Sequence, residues 1–353
     1  MKYSDTRLET VQAMRRNVFT FVAFKNHNRS SAIVDLLTDD KGKLRSKNDF
    51  VREARAISND YNKNWLTAEY DTVVASGQTA AQWHDFQKNK DMLPFLIYKT
   101  QADSRVRDSH ASLHDVCKEV DDPFWDEFYP PNGWRCRCYV LQIAKREGKE
   151  DPESLPDEKE VKPIFRNNPG KTGIIFDEKH DYFTGMDRKT KKNVMHQMRN
   201  ILSKEDVFDR VYQSPTTSNT LDVHITHDGA ERKENVELAK KIADLNWSGK
   251  LLPVDWTKRN PDYMRSDGEL MEFKKLEGRN SIKNGVRNAM RKSKDLHQII
   301  FNATSWDRPK VVSQLYQQFK KRQQLDIVWI IKDDVMYKIS RDQLISNLKS
   351  LPE

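Results

Sequence analysis

The chain of 353 residues contains only three cysteines, Cys117, Cys136 and Cys138. Three cysteines are too few for a disulfide framework, and an odd number is typical of a reducing compartment or of a metal site. The chain also lacks an apolar run approaching the roughly 18 residues of a membrane span, and its first residues lack the continuous apolar stretch of a secretory signal. We therefore expect a cytoplasmic protein without a membrane partner.

The charge of the chain is large and unevenly distributed. Hydrophobic residues make up 37% and charged residues 32%, with a formal net charge of +8. This length predicts two or three domains with modest cores and polar surfaces. Residues 258–294 hold eleven Lys or Arg against five Asp or Glu, a net charge of +6. Cations gathered in one region favour nucleic acid as the partner.

Changes in composition predict a multidomain chain. Residues 1–200 are predicted to form a mainly α-helical domain, in which residues 164–200 fold back on the preceding ones. Residues 201–222, which contain Gln-Ser-Pro-Thr-Thr-Ser-Asn-Thr at 213–220, are predicted to be a linker. Residues 223–353 alternate helical and strand patterns, which predicts an α/β (α+β) domain with a small mixed or antiparallel sheet.

The most informative pattern in this last domain is Pro-Asp262, followed ten residues later by Glu272-Phe-Lys274. Alternation of polar and apolar residues predicts a strand on which Glu272 and Lys274 project from one face. Ser-Asp-Gly at 266–268 predicts a turn that folds Asp262 back toward Glu272. Paired carboxylates can hold a divalent metal such as Mg²⁺, and a lysine can steady the attacking water. The pattern therefore predicts a site that cuts phosphodiesters, with an ordinary cross-strand ion pair as the alternative.

A basic helix is predicted directly after this strand, over residues 281–296. Its apolar residues repeat at helical spacing, with a stripe of cations beside them. The cations predicted to bind nucleic acid are Lys275, Arg279, Lys283, Arg287, Arg291 and Lys294. An ordinary solvated face is the alternative interpretation of the stripe, but the local charge excess favours phosphate contacts.

A cluster of thiol and imidazole groups lies between residues 98 and 139. The predicted metal ligands are His110, Cys117 or else His114, Cys136 and Cys138. Such a set suits zinc, although C-x-C is a tighter spacing than the usual C-x-x-C. The alternative is a packing cluster in which the cysteines are small buried apolar groups.

Three motifs characterise residues 48–142: Tyr-Asn-Lys-Asn-Trp-Leu-Thr-Ala-Glu-Tyr at 61–70, Arg-Asp-Ser-His at 107–110 and Pro-Pro-Asn-Gly-Trp-Arg-Cys-Arg-Cys at 130–138. Together they resemble the phage Mu F-like head morphogenesis domain, a family of minor head proteins. The resemblance extends over about the first 200 residues. It implies a structural role, portal or capsid proteins as partners, and a location in the virion or procapsid. Asp115 stands where related proteins often have glycine.

The segment with Asn260-Pro-Asp262, Glu272-Phe-Lys274 and the basic helix resembles the toxin nuclease domains of CdiA-type contact-dependent inhibition proteins and other polymorphic toxins. Many of these domains cut tRNA, and such domains are often appended to Mu F-like proteins. The resemblance implies an RNA-cleaving toxin of the bacterial cytoplasm, with tRNA as substrate and a cognate immunity protein as a further partner.

Two catalytic mechanisms remain open. In the metal-dependent mechanism of the PD-(D/E)XK nucleases, Asp262 and Glu272 are metal ligands and Lys274 positions water. An acidic residue of the first helix of the domain, Glu234 or Glu237, would complete that site.

The metal-free mechanism of the barnase, EndoU, colicin and RelE group uses the ribose 2′-hydroxyl as nucleophile. Glu272 or His297 would then act as base or acid, while neighbouring cations hold the phosphate. The rival functions are a metal-dependent DNase and a purely structural head protein whose C-terminal domain binds DNA or the portal.

Overall fold

A computed structural model describes residues 5–227, 229, 231–254, 260–278, 281–305 and 307–346. The chain divides into two compact units, Met1–Met198 and Arg199–Glu353. Within the described ranges no helix has both the length and the apolar character needed to cross a membrane. The predicted phosphate ligand Arg279 lies outside the described residues.

The first unit is mainly helical, as predicted. It begins with α1 (Asp5–Asp35), α2 (Lys47–Asn59), a π-helical turn (Asp60–Asn64) and α3 (Trp65–Asn89). The later elements are β1 (Phe95–Lys99), α4 (Asp108–Ala111), β2 (Cys117–Glu119), α5 (Phe124–Glu127), β3 (Tyr139–Ile143), a 3-10 turn (Pro163–Phe165), α6 (Pro169–Thr172), α7 (Asp181–Thr184) and α8 (Arg188–Leu202). Strand β1 lies between β2 and β3 and is antiparallel to both.

Residues 164–200 fold back on the long helices of the first unit, as predicted. The ring of Phe176 stacks on that of Phe21 in α1, with centroids 3.7 Å apart. The side-chain oxygen of Asn17 accepts hydrogen bonds from the backbone N–H groups of Ile175 and Phe176, at 2.9 and 2.8 Å. These bonds satisfy backbone groups that would otherwise be buried without a partner.

The second unit is built on one mixed sheet with helices on both faces. Its elements are β4 (Phe208–Gln213), β5 (Thr220–His224), α9 (Arg232–Leu245), β6 (Gly249–Leu251), β7 (Tyr263–Arg265), β8 (Leu270–Leu276), α10 (Ser281–Ala289), β9 (Gln298–Ala303), α11 (Arg308–Lys321), β10 (Ile327–Lys332), β11 (Val335–Ser340) and α12 (Arg341–Ser346). Each strand pairs with the next in sequence. The pairs β5–β6, β8–β9 and β9–β10 are parallel. The sheet is mixed, as predicted, but its eight described strands make it larger than expected.

The prediction that residues 201–222 form a linker is wrong for the residues after 207. Strand β4 and the start of β5 lie there and pair antiparallel. Val211, Leu221 and Val223 are fully buried in the core of the unit. The polar residues between the strands form the hairpin connection, which Ser214 N–H closes by donating to the Asn219 carbonyl at 2.8 Å. A polar turn and a polar linker have the same composition, so the pattern alone could not separate them.

The two faces of β8 are covered by different helices because side chains alternate along a strand. Met271 and Phe273 pack on the face that α9 covers. Leu276 packs on the face that α10 and α11 cover. Glu272 and Lys274, at even positions, therefore lie on the α10–α11 face.

The basic helix is shorter than predicted. Helix α10 ends at Ala289, so Arg291 and Lys294 lie in the turn beyond it and do not continue the stripe. Gly285 allows this helix to pack closely on the sheet, because a Cβ there would lie 2.7 Å from the Phe301 ring and 3.5 Å from Cγ of Lys274. The end of α10 thus determines which residues of the following turn return to β8.

Candidate active site

The β7–β8 hairpin brings Asp262 next to Glu272. Tyr263 pairs with Met271 in antiparallel register. Asp262 precedes Tyr263 and Glu272 follows Met271, so these two acidic residues lie opposite each other. Gly268 adopts φ +92° in the connecting turn, a conformation that glycine reaches without a steric penalty. Oδ2 of Asp262 accepts a hydrogen bond from the backbone N–H of residue 273 at 3.1 Å. The predicted approach of the two carboxylates is confirmed.

Four charged side chains converge at this point: Asp262, Glu272, Lys274 and Lys292. Lys274 forms an ion pair with Oε1 of Glu272. The ammonium of Lys292 lies 2.7 Å from the same oxygen and 3.1 Å from Oδ1 of Asp262. We call these four residues the charged quartet.

The quartet is centred on a buried carboxyl group. The Glu272 side chain is 0% exposed, whereas those of Lys274 and Lys292 are 22% and 26% exposed. Burial and the negative charge of Asp262 raise the pKa of Glu272 to about 7, against the attraction of the two lysines. Burial alone would lower the pKa of Lys292, but Asp262 and Glu272 together raise it.

This geometry supports two kinds of chemistry. A carboxyl group whose pKa lies near 7 can accept or release a proton at neutral pH. The carboxylates also supply hard oxygen ligands suited to Mg²⁺, and Oε2 of Glu272 is buried with no hydrogen-bond partner among the described residues. A divalent ion would satisfy that oxygen, so the donor set fits Mg²⁺. The ammonium of Lys292 lies between the same two carboxylates and would have to move for the ion to bind.

His297 is not brought to the quartet. It is half exposed before β9, where Nδ1 lies 2.9 Å from the carbonyl oxygen of Gln324 and 3.3 Å from Oδ2 of Asp326. These contacts direct the imidazole toward the residues that precede β10. The sequence could not show toward which neighbour the ring of His297 turns.

Lys275 also lies apart from the quartet. Its odd position places it on the α9 face of the sheet, where its ammonium pairs with Glu234 at 2.7 Å. Glu234 and Glu237 both belong to α9, so neither completes the site on the opposite face. The prediction that Lys275 acts beside Lys274 did not take account of the alternation of side chains along the strand.

The remaining predicted phosphate ligands that the structure describes are exposed. They are Lys283, Arg287, Arg291 and Lys294. Within the described ranges, none of these four forms an ion pair. Their charges are therefore not neutralised by any acidic residue that the structure describes, and they are open to an anionic partner.

Lys292 is the member of the quartet that sequence reasoning missed. It belongs to the run Arg291-Lys292-Ser293-Lys294, but it falls beside the predicted helical stripe. The run itself signalled cations near the site. Only the end of α10 at Ala289 shows which of them turns inward.

The predicted zinc ligands divide into a cluster and two residues outside it. Nδ1 of His110 lies 3.7 Å from Sγ of Cys136 and 3.4 Å from Sγ of Cys138. The three ligand atoms all lie within 4.8 Å of one another. Cys117 is buried in β2 and does not belong to this group. The Nδ1 atom of His114 instead accepts a hydrogen bond at 3.0 Å from the backbone N–H that follows β1.

Two segments of the chain match known families. Residues 43–141 match the family of Phage Mu protein F like proteins. Residues 258–335 match the contact-dependent growth inhibition CdiA C-terminal domain. The chain joins a Mu F-like segment to a CdiA C-terminal segment. The Mu F-like segment contains the Cys–His cluster, and the CdiA C-terminal segment contains the whole charged quartet.

Two curated relatives of the chain are phage proteins. The chain is 34% identical over 85 residues to capsid assembly protein F of Escherichia phage Mu, which covers 24% of this chain and 19% of that protein. It is 44% identical over 66 residues to the FluMu F protein of the Mu-like prophage of Haemophilus influenzae, which covers 19% of this chain and 16% of that protein. The chain thus spans about a fifth or less of each relative. No solved structure matches it significantly.

Proposed function

We propose that the second unit is a nuclease that cuts RNA, with tRNA as its substrate, and that the Mu F-like segment ties this toxin activity to a phage head. The observation that carries the proposal is the charged quartet around the buried Glu272, inside the segment that matches a toxin C-terminal domain. The resemblance of this segment to toxin nucleases that cut tRNA supports RNA over DNA.

The quartet supports a metal-dependent mechanism better than the metal-free one. The metal-free mechanism needs both a base and an acid, and its second candidate, His297, contacts Gln324 and Asp326 instead, which leaves Glu272 without that partner. Asp262 and Glu272 would hold Mg²⁺, which supplies positive charge at the phosphate and lowers the pKa of a bound water. Lys274, which pairs with Glu272, would be placed to donate a hydrogen bond to the attacking water. Lys292 would have to leave the carboxylates for the ion to bind, and its charge would then be available to the phosphate.

The exposed cations around the site supply the binding surface. Lys283 and Arg287 are four residues apart on α10, and Arg291 follows just beyond its end. Counterions released from the nucleic acid by such unpaired cations favour binding without selecting a sequence. This surface explains affinity, whereas the quartet explains cleavage.

The proposed partners differ for the two segments. Portal or capsid proteins are the expected partners of residues 43–141, since these match a family that includes a capsid assembly protein. An immunity protein that blocks the quartet is the expected partner of residues 258–335. The proposed locations are therefore the phage particle and the cytoplasm of a target bacterium.

The test is cleavage of total tRNA by the purified full-length chain in the presence of Mg²⁺. We expect E272Q and K274A each to slow cleavage by about 100-fold or more, as loss of a catalytic group usually does. E277Q is the matched control, because Glu277 is an exposed carboxylate just after β8. Unchanged cleavage by the E272Q/K274A double variant would contradict the proposed site.

Chelation separates the two mechanisms. We expect EDTA to stop cleavage and Mg²⁺ to restore it. Cleavage that survives EDTA and leaves 2′,3′-cyclic phosphate ends would overturn the metal role while retaining the nuclease. Tight DNA binding without cleavage of either nucleic acid would instead support the structural head protein.

A further inference from the structure

The Cys–His cluster of the first unit consists of His110, Cys136 and Cys138, whose donor atoms converge on one point. His110 belongs to α4, and the cysteines follow a turn in which Cys136 N–H donates to the Gly133 carbonyl at 3.1 Å. The His110 side chain is buried, with the residue 2% exposed. The cluster therefore joins two segments more than twenty residues apart in the sequence.

We propose that these three residues bind one zinc ion. Tetrahedral zinc, with bonds of about 2.3 Å to sulfur and about 2.0–2.1 Å to nitrogen, places a sulfur and a nitrogen ligand about 3.5 Å apart. The two sulfur–nitrogen distances of 3.7 and 3.4 Å lie on either side of that value. Both sulfur–nitrogen distances thus already match the spacing that the ion requires.

Hydrogen bonding within the cluster explains the geometry less well. A neutral imidazole nitrogen has one lone pair and accepts one S–H hydrogen, yet both sulfurs approach Nδ1 of His110. Nε2 of the same ring is buried without a hydrogen-bond partner in the described part of the chain, so the polar contacts of the ring there are those at Nδ1. A cation shared by three donor atoms satisfies both thiolates and the imidazole together.

The surroundings of the cluster suit a site with three protein ligands. A cavity of about 20 Å³ borders His110 and Cys138, and it is large enough for one water molecule as the fourth ligand. Arg107 and Arg137 line the same cavity, and Asp103 pairs with Arg137 at 2.6 Å. Arg107 also donates to the Trp134 carbonyl at 2.7 Å, which ties the turn to the same site. The ion would hold this turn against α4.

Cobalt(II) titration of the metal-free full-length chain tests the proposal directly. Thiolate ligation gives charge-transfer bands that carboxylates and imidazoles alone do not produce, so binding at the charged quartet would not imitate it. We expect one equivalent of cobalt to develop these bands together with the visible bands of a tetrahedral ion, and zinc to displace it. Titration of the folded wild-type chain without thiolate bands would overturn the assignment.

Variants identify the ligands. C136S, C138S and H110Q should each reduce zinc content to below about a tenth of the wild-type value, measured by mass spectrometry of the purified chain. The matched controls are C117A and H114Q, which change the neighbouring thiol and imidazole that lie outside the cluster. Equal loss of zinc from the controls, or a Cys136–Cys138 disulfide in the protein purified in the presence of zinc and a reductant, would contradict the site.

Discussion

The ammonium nitrogen of Lys292 lies 2.7 Å from Oε1 of Glu272, a carboxylate that is completely buried. A lysine from the turn after α10 thus supplies positive charge to the centre of the sheet. The same nitrogen lies 3.1 Å from Asp262, so it bridges the two carboxylates that would hold a divalent ion.

Replacing Lys292 by methionine removes the cation that competes for those carboxylates. We expect K292M to bind Mg²⁺ at least about tenfold more tightly than wild type, because the two carboxylates, with Lys274 as their remaining counterion, repel one another more strongly until a cation binds. Isothermal titration with Mg²⁺ measures the change. K294M, which alters an exposed lysine two residues away, is the control. Equal Mg²⁺ affinity of K292M and wild type would show that the ammonium does not occupy the metal position.

The raised pKa of Glu272 predicts how stability depends on pH. The pKa rises from 4.5 to about 7, so between these pH values the folded unit keeps a proton that the unfolded chain has lost. The stabilisation is complete below about pH 4.5 and is lost as pH rises through about 7. Hydrogen exchange of β8 peptides should show protection relative to E272Q falling about tenfold or more from pH 5 to pH 8. If the ratio stays constant, Glu272 does not titrate in this range.

The close packing of Gly285 predicts that its replacement by alanine has an unusual effect on stability. Glycine to alanine normally stabilises a helix interior by about 1 kcal/mol. Here the added methyl would lie 2.7 Å from the Phe301 ring, so G285A should instead destabilise the unit by about 1–3 kcal/mol. Urea unfolding measures the difference. N284A, at an exposed position of the same helix, should be neutral or slightly stabilising, and a stabilised G285A would show that α10 does not pack as closely as described.

Lys283 and Arg287, the two exposed cations of α10, predict that RNA binding weakens as the salt concentration rises. In an E272Q background, which prevents cleavage, K283Q/R287Q should weaken RNA binding and reduce the slope of log affinity against log salt by about 1.4–1.8, as expected for two phosphate contacts. K275Q is the control, because Lys275 lies on the opposite face and pairs with Glu234. Equal loss in K275Q would mean that RNA binding does not depend specifically on the α10 face.

The position of β4 and β5 predicts where the second unit begins. A fragment of residues 223–353 lacks β4 and most of β5, and with them the buried Val211 and Leu221. It should be insoluble or lack cooperative unfolding, because the edge of β6 and its apolar surface are exposed. A fragment of residues 199–353 should unfold cooperatively. Cooperative unfolding of the shorter fragment would show that the first two strands are dispensable.

Local patterns determined much of the second unit. Alternation placed Glu272 and Lys274 on one face, and the Asp-Gly turn brought Asp262 to them, because both effects depend on backbone geometry over a few residues. The order of helices and strands after residue 230 followed from the same periodicities. The Mu F-like and CdiA C-terminal segments were also recognisable from the sequence, because their motifs are continuous stretches of residues.

Tertiary structure decided the rest. Lys292 joins the quartet, and His297 does not, because of where α10 ends and how the following turn packs on the sheet. Cys117 lies apart from His110 and the other two cysteines for a similar reason, since β2 and the turn before β3 approach α4 from different positions. Contacts between residues twenty or more positions apart depend on the packing of whole elements, which no local period records.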